Sequence, residues 1–402
     1  MRFKSTLFLV FLLNAGIHTG ANAQFVNNGS NIIIQNGASI NVVGDFNNIS
    51  GSITNLGNIN VSGNWANADA QGVFTLPSSG LVTLNGANQN IGGTQKTVFP
   101  NLTLAGTGIK KLLVNTDVRA NLDLADRELA LEDKNFEVLG TTQTSLIFTT
   151  GFISTNLKGF LYRNTSSGAT YTYPLGSNLS GSFKYRPVTV LTKDNLNNSI
   201  GLSFVEKDPS NEGFSRDAKR FDVNEVNPLF FYLLDQKTGT SLADFNFFYN
   251  NPLDGNFNQL VNWVKFNLWE KAGISNQQPV LGNPQYNQVM TYSTLQPVSL
   301  LSITMSSITP NNDPITIFNS FSPDGDGKND KWEIKNIDLF PNNELTILNR
   351  YGSEILKVNG YNNANAWDGG SLNNGTYFYL LKVNINKEQK VYKGFITLLR
   401  ND

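Results

Sequence analysis

Cysteine is absent from all 402 residues, and the single histidine is His18, close to the N-terminus. No disulfide can staple this chain, and no thiol can serve as nucleophile or metal ligand. Once His18 is removed, a Ser-His-Asp triad, a Cys-His pair and zinc centres of Cys or His type are all excluded. Charge is scarce as well. Only 15% of residues are Asp, Glu, Lys or Arg, and they almost cancel, to a net -1. No global field draws nucleic acid or an anionic membrane to this chain. Long apolar runs are missing too. Leu7 to Leu13 is one of the longest, and it is too short to span a bilayer.

That short run has a use. It follows the positive Arg2 and Lys4 and precedes Ala21-Asn22-Ala23, the order of a secretory leader cut between Ala23 and Gln24. Residues 1–23 are read as a Sec signal peptide, which leaves the mature chain without a membrane span. His18 leaves with it. So do Arg2 and Lys4, leaving 28 basic against 31 acidic residues and a net charge of -3. What remains is carboxylate chemistry or oxygen-ligand metal binding. Without disulfides, stability has to come from packing and hydrogen-bonded ladders.

With 40% hydrophobic residues, 27 Phe and 35 Gly, the composition suits an all-β chain of short strands and tight turns. Residues 24–165 carry a repeat. Ile40-Asn41-Val42-Val43-Gly44-Asp45-Phe46-Asn47-Asn48 returns 19 residues later as Ile59-Asn60-Val61-Ser62-Gly63-Asn64-Trp65-Ala66-Asn67. Weaker echoes follow at Leu81-Val82-Thr83-Leu84, Leu102-Thr103-Leu104, Lys111-Leu112-Leu113-Val114, Leu122-Asp123-Leu124 and Phe136-Glu137-Val138-Leu139. One coil of this size cannot bury its inner face alone, so the spacing predicts a β-solenoid in which like residues stack between coils. Asparagines at the turns are expected to accept left-handed backbone and to ladder their amides. An ordinary antiparallel sandwich is the competing reading. The repeat fades after residue 165. Residues 166–306 read as an immunoglobulin-like β-sandwich, with Tyr171-Thr172-Tyr173 and Val188-Thr189-Val190-Leu191 among its strands. Leu260 to Ala272 mixes helical and alternating spacing and is assigned to strands. Residues 307–314 form a polar linker bounded by prolines.

Within the solenoid, Asp117, Arg119, Asp123, Asp126, Arg127 and Glu128 are close in sequence. A polysaccharide-acting β-helix enzyme would draw on such groups, but a solvated charged turn is the simpler account. The chain is read as not an enzyme, with no catalytic residue.

Residues 315–402 hold a series of motifs. Ser322-Pro323-Asp324-Gly325-Asp326-Gly327-Lys328-Asn329-Asp330 is followed by Pro341-Asn342-Asn343 before a strand. Asn349-Arg350-Tyr351-Gly352, Trp367-Asp368-Gly369, Gly375-Thr376-Tyr377-Phe378-Tyr379 and Lys393-Gly394 come next. In this order they closely resemble the gliding motility-associated C-terminal domain, the type B sorting domain of type IX secretion cargo. Asp324 stands where that family more often has Asn, and Tyr351 where it has Trp. Alternation places Tyr377, Tyr379, Leu381 and Val383 on one strand face, with Phe378 and Leu380 on the other. Trp332 and Trp367 are read as packing aromatics. Asp324, Asp326 and Asp330 are the one candidate metal set, for Ca²⁺; the alternative is a turn closed by carboxylates on backbone N–H groups. No other cofactor is expected.

The resemblance implies a small β-sandwich that an outer-membrane cargo receptor and the type IX translocon recognise after Sec export. It also implies a product at the cell surface or outside the cell. For residues 24 to about 305 the expectation is a structural or adhesive surface protein, possible partners being a glycan or a larger adhesin. An accessory subunit of such an adhesin, or of the secretion complex, is the alternative. Nucleic acid is not expected as a partner.

Overall fold

The computed structural model describes residues 24–400, apart from 167, 265, 266, 274, 309–313, 386 and 387. The leader read at residues 1–23, Ala23 included, and most of the linker lie outside the described residues. The chain is all-β, at 51% strand and 5% helix. It divides into two compact units, residues 1–308 and 309–402.

The first unit begins as a β-solenoid of about 7 turns. The 19-residue echo is one coil: Ile40 lies beside Ile59, Val42 beside Val61, Phe46 beside Trp65 and Asn48 beside Asn67, all in parallel pairing. One sheet runs from Phe25–Ile34 through Phe46–Asn55, Trp65–Asn67, Gln89–Gly93, Ile109–Leu112 and Glu128–Ala130 to Phe152–Ser154. A second runs from Ser39–Val42 to Leu146–Ile147, and a third opens only at Thr97–Phe99. The period is not constant. Trp65 pairs with Ile91, 26 residues on, because added residues are accommodated in the turns while the strands keep their register. This is why the later echoes are faint in the sequence.

The interior is built from columns of like side chains. Val42, Val61, Leu84 and Leu104 stack in register, all buried. Phe25, Phe46 and Trp65 form a ring stack with centroids 4.9 and 4.0 Å apart. Beside it runs an amide ladder. Asn27 Nδ2 donates to Asn48 Oδ1 (2.9 Å), and Asn48 Nδ2 donates to Asn67 Oδ1 (3.0 Å). All three are buried, so each amide depends on the next. The expected ladder is present. The expected left-handed asparagines are not: among the described solenoid residues, the non-glycine positions with positive φ are Ala125, Glu132 and Lys158. The corners use glycine instead. Gly51 has φ +91°, and a Cβ there would lie 2.3 Å from Ser30 O, so the coil below leaves room for a hydrogen only.

Breaking the ladder has a calculable cost. Asn48→Leu takes one partner each from Asn27, which keeps Ser30, and from Asn67, which keeps Asp69 and Lys96, and is expected to cost about 1–2 kcal/mol. Asn47→Ala, on the half-buried outer side of the same strand, should change stability by less than about 0.5 kcal/mol. Urea unfolding checks this; equal midpoints for the two variants would remove the ladder as a stabilising element.

Lys110 is fully buried, which alternation alone did not flag. Its ammonium donates to the carbonyls of Gly86 (2.8 Å), Ala87 (2.6 Å) and Thr107 (3.1 Å), closing stacked turns of successive coils. Burial, with a smaller push from Arg127, lowers its pKa from 10.5 to about 8. Between those values the unfolded chain holds more protons than the folded one. Stability therefore rises with pH across that window, by at most about 1.4 kcal/mol per pH unit. A chain with Lys110→Met should lack this rise. Denaturation at pH 8 and 9 measures the difference, since near pH 10 the buried tyrosines, which ionise only in the unfolded chain, already favour unfolding.

The solenoid's last strand is shared. Leu161–Thr165 pairs in parallel with Phe136–Val138 on one edge and antiparallel with Asn198–Val205 on the other. The third solenoid sheet thus continues through Phe231–Thr238 and Leu301–Ile308 to Gln259–Val264 and Leu268–Lys271. The last two strands come from the ambiguous stretch, with Trp263 opposite Trp269. A second antiparallel sheet, Thr170–Tyr173, Val188–Thr192, Ala243–Tyr249, Gln288–Ser293 and Asn276–Pro279, faces it. Tyr173 Oη donates to Ile200 O (2.8 Å), and the rings of Tyr232 and Phe247 are 4.8 Å apart between the sheets. One core runs from the coils into this sandwich. The C-terminal edge of the third sheet is therefore paired rather than left raw, while the second sheet ends at Leu146–Ile147. Arg163 sits at the join, 1% exposed, donating to Thr172 O, Thr142 O and Gln143 O, with Tyr171 beneath its guanidinium.

In the second unit a five-stranded sheet is ordered Ser320–Phe321, Glu388–Leu398, Gly375–Ile385, Asn343–Leu348, Glu354–Asn359. Its inner face carries the buried Leu345, Ile347, Leu381, Val383, Ile396 and Leu398. The opposing layer is made by the pair Thr316–Ile317 and Ile334–Lys335 and by loops that contribute Trp332, Ile337, Phe340 and Tyr361.

Candidate functional site

The motif residues of the second unit fall into three groups: a loop, a set of turns and a small aromatic core. The loop is Ser322 to Asp330. Gly325 (φ +81°), Gly327 (φ +84°) and Asn329 (φ 52°) are left-handed, and this lets the chain curl back on Asp330. Asp330 Oδ1 accepts from Gly325 N (2.7 Å) and its Oδ2 from Gly327 N (2.9 Å). Asp326 accepts from Lys328 N (2.7 Å) and Asp324 from Asp326 N (3.3 Å). Ser322 N donates to Asn329 O (2.9 Å) and closes the base; Pro323 follows, half-buried.

Asp324, Asp326 and Asp330 also bring one carboxylate oxygen each to within 4.8 Å of one another. Backbone amides already meet both oxygens of Asp330, and each of the other two carboxylates accepts one as well. Backbone amides alone can close a turn of this kind. Thermal melting in calcium and in chelator is expected to give coincident curves. A rise of more than about 5 °C with calcium would show that the three carboxylates hold the ion.

The turns follow the same rule. Asn349 Oδ1 accepts from Tyr351 N and Ser353 N (both 2.9 Å), and Gly352 takes φ +83°. Arg350 and Tyr351 are left exposed at the tip. Asp368 Oδ1 accepts from Gly370 N (2.9 Å), and Gly369 takes φ +82° against Leu398.

The aromatic core centres on Trp332, which is fully buried. Its Nε1 donates to Phe318 O (2.7 Å), and its backbone N donates to Trp367 O (2.7 Å). Tyr361 Oη donates to Trp332 O (2.6 Å) and accepts from Trp367 N (2.9 Å). Burial pushes that phenol up to about 12, so it stays a neutral donor. The ring of Tyr379 lies 5.3 Å from Trp332 and passes across Gly394, its cross-strand partner. A Cβ at Gly394 would meet Tyr379 Oη at 2.7 Å. Tyr377 anchors its hydroxyl on Asn373 O (2.8 Å) and packs edge-on to Trp367. Gly375 opens this strand with no close neighbour that demands glycine, and Lys393 is exposed. Phe378 is also exposed on the far face, as alternation requires.

Two residues essential to this arrangement were not singled out from the sequence. Tyr361 carries no sequence signal, because it lies in a loop of asparagines without strand periodicity. Asn343 was noted only as part of Pro341-Asn342-Asn343. It is buried and ties Phe340 O, Tyr361 O and Tyr361 N together. An Asn at a strand start two residues after Pro341 is the signal the sequence offers.

The carboxylates noted in the solenoid do not converge. Asp117 lies on the third sheet, ion-paired with Lys96 (2.5 Å), and burial is the main cause raising its pKa. Arg119 donates to Ser78 O, and Asp123 caps Ala125 N on the second sheet. Asp126 and Arg127 pair with each other in the next turn, and Glu128 faces outward from the first sheet. A coil visits three faces in about twenty residues, so neighbours in sequence are dealt to different sides.

Residues 315–398 match the CHU_C type IX secretion signal domain, the C-terminal sorting domain. Comparison with curated proteins and with solved structures returns no match for the chain.

Proposed function

We propose that this type IX secretion cargo is a surface structural or adhesive protein. In this reading the sorting domain at residues 315–398 takes it across the outer membrane after Sec export, and the solenoid and sandwich of residues 24–308 are the displayed body. The sorting domain marks the chain for export to the surface or the medium. The observation that carries the adhesive reading is the build of the first unit. Its inward residues form columns, ladders and a continuous core, and its outward sheets, with register rows such as Asn41, Asn60, Thr83 and Thr103, offer extended faces suited to contacts. The six sequence-adjacent charged residues that an enzyme of β-helix type would draw on are dispersed over its faces, which favours a binding role over catalysis.

Two altered chains separate delivery from role. The tail fused behind a Sec leader to an inert reporter should carry the reporter to the surface of a bacterium that has the exporter. A reporter that stays in the periplasm refutes the delivery reading. A chain lacking residues 24–305 should weaken surface attachment and spreading; unchanged attachment, spreading and gliding would refute the adhesive role.

A further inference from the structure

The outward side of the first solenoid sheet is not flat. Over the coils of Gln89–Gly93, Ile109–Leu112, Glu128–Ala130 and Phe152–Ser154, the row Asn90, Lys111, Ala130, Ser154 runs in register across four strands. Ala130 supplies little bulk there, while residues of the turns at Asn156-Leu157 and Asn178-Leu179 line its side. The result is a shallow groove of about 530 Å³, within the size range of small-ligand sites.

Its chemistry is mixed and balanced. Glu128, Glu132, Lys111 and Lys207 line it together with Asn88, Asn90, Asn156 and Asn178, and the Lys207 ammonium is itself balanced by Glu212 Oε1 at 2.8 Å. Glu128 is held in place by Ser154 Oγ (2.6 Å) and, more loosely, by Asn178 Nδ2 (3.4 Å). Lys111 Nζ is 2.8 Å from Glu132 Oε1. Side chains that both donate and accept, with no net charge, match vicinal hydroxyls better than they match an anion or a cation.

An aromatic row starts beside this groove, at the buried Phe152. Phe152 is the register neighbour of Glu128. Its ring lies 4.8 Å from Phe183, which is followed by Tyr185 (6.3 Å) and then Tyr286 (6.2 Å). Phe183 is 37% exposed, and an exposed ring beside a polar groove is what the apolar face of a sugar packs on. We infer that this groove and the adjoining rings bind a neutral polysaccharide segment. The inference rests on the surface-protein reading and names its ligand class.

The test is affinity electrophoresis of the purified mature chain in gels containing laminarin, xyloglucan or galactomannan, with alginate and polygalacturonate as anionic counterparts. At least one neutral glycan should retard the wild type more than the anionic ones do. Ala130→Trp fills the groove floor, and Glu128→Ala and Phe183→Ala remove contacts at half-exposed or exposed positions. Each should weaken retardation about tenfold or more, with melting curves confirming that the variants fold. The inference is overturned if no neutral glycan retards the protein, if anionic glycans retard it best, or if folded variants are retarded like the wild type. Release of reducing ends during the assay would also overturn it, since the site would then be catalytic. The assay uses purified protein, so it fails or succeeds independently of whether the chain is delivered to the cell surface.

Discussion

Trp332→Ala is expected to unfold the second unit and to leave the exported chain in the periplasm. Trp332 is fully buried, and its indole N–H, backbone N–H and carbonyl all hold parts of that unit together. Truncating a large buried aromatic costs about 3–5 kcal/mol, comparable to the whole stability of a domain this small. Gly394→Val should act in the same direction, because its side chain would displace the Tyr379 ring. Tyr351→Ala is the control: it is 85% exposed at a turn tip and should leave the fold unchanged. Cell fractionation together with protease accessibility on intact cells reads the outcome. If the Trp332→Ala chain reaches the surface at the wild-type level, a folded tail is not what the exporter recognises.

The second large effect is expected in the sandwich. Arg186 and Asp254 are 1% and 2% exposed and form a two-point pair, Nε to Oδ2 at 2.6 Å and Nη2 to Oδ1 at 2.9 Å. Asp254 also accepts from Asn250 N, and Arg186 Nη1 donates to Tyr185 O and Gln285 O. Removing only the acidic partner, by Asp254→Leu, strands a buried guanidinium and should cost about 3–5 kcal/mol. Replacing both, Arg186→Met with Asp254→Leu, removes the unpaired charge. The double variant should recover most of that loss, apart from the carbonyls and amide left unmet. Urea unfolding of the single and double variants gives the coupling. A double variant no more stable than Asp254→Leu would show that the cost comes from the backbone contacts rather than from the charge.

How legible was this in the residues? The coil was legible where it was most regular, because a parallel stack without insertion repeats its inward residues at one offset, as Phe46 and Trp65 do. Once turns lengthened, the strands kept register while the spacing did not, and the signal faded. Lys110 was not legible, because a lysine in an alternating strand reads as solvent-facing unless three carbonyls of neighbouring coils are known to converge on it. In the tail, the glycines and carboxylates of residues 322–330 belong to one local loop and announced themselves. Tyr361, whose partners are distant in sequence, did not.

The sequence by itself determined the lack of any cysteine chemistry, the strand-rich character, the stacking of the first coils and the sorting domain. Each depends on residue type or on contacts at short, constant spacing. Only the tertiary structure decided that Leu161–Thr165 serves both the solenoid and the sandwich, and that Arg186 meets Asp254. It also decided that Glu128 shares a groove with Glu132 rather than with Asp117. Those outcomes depend on how the chain turns at each corner, and a corner's effect is felt by residues tens of positions away.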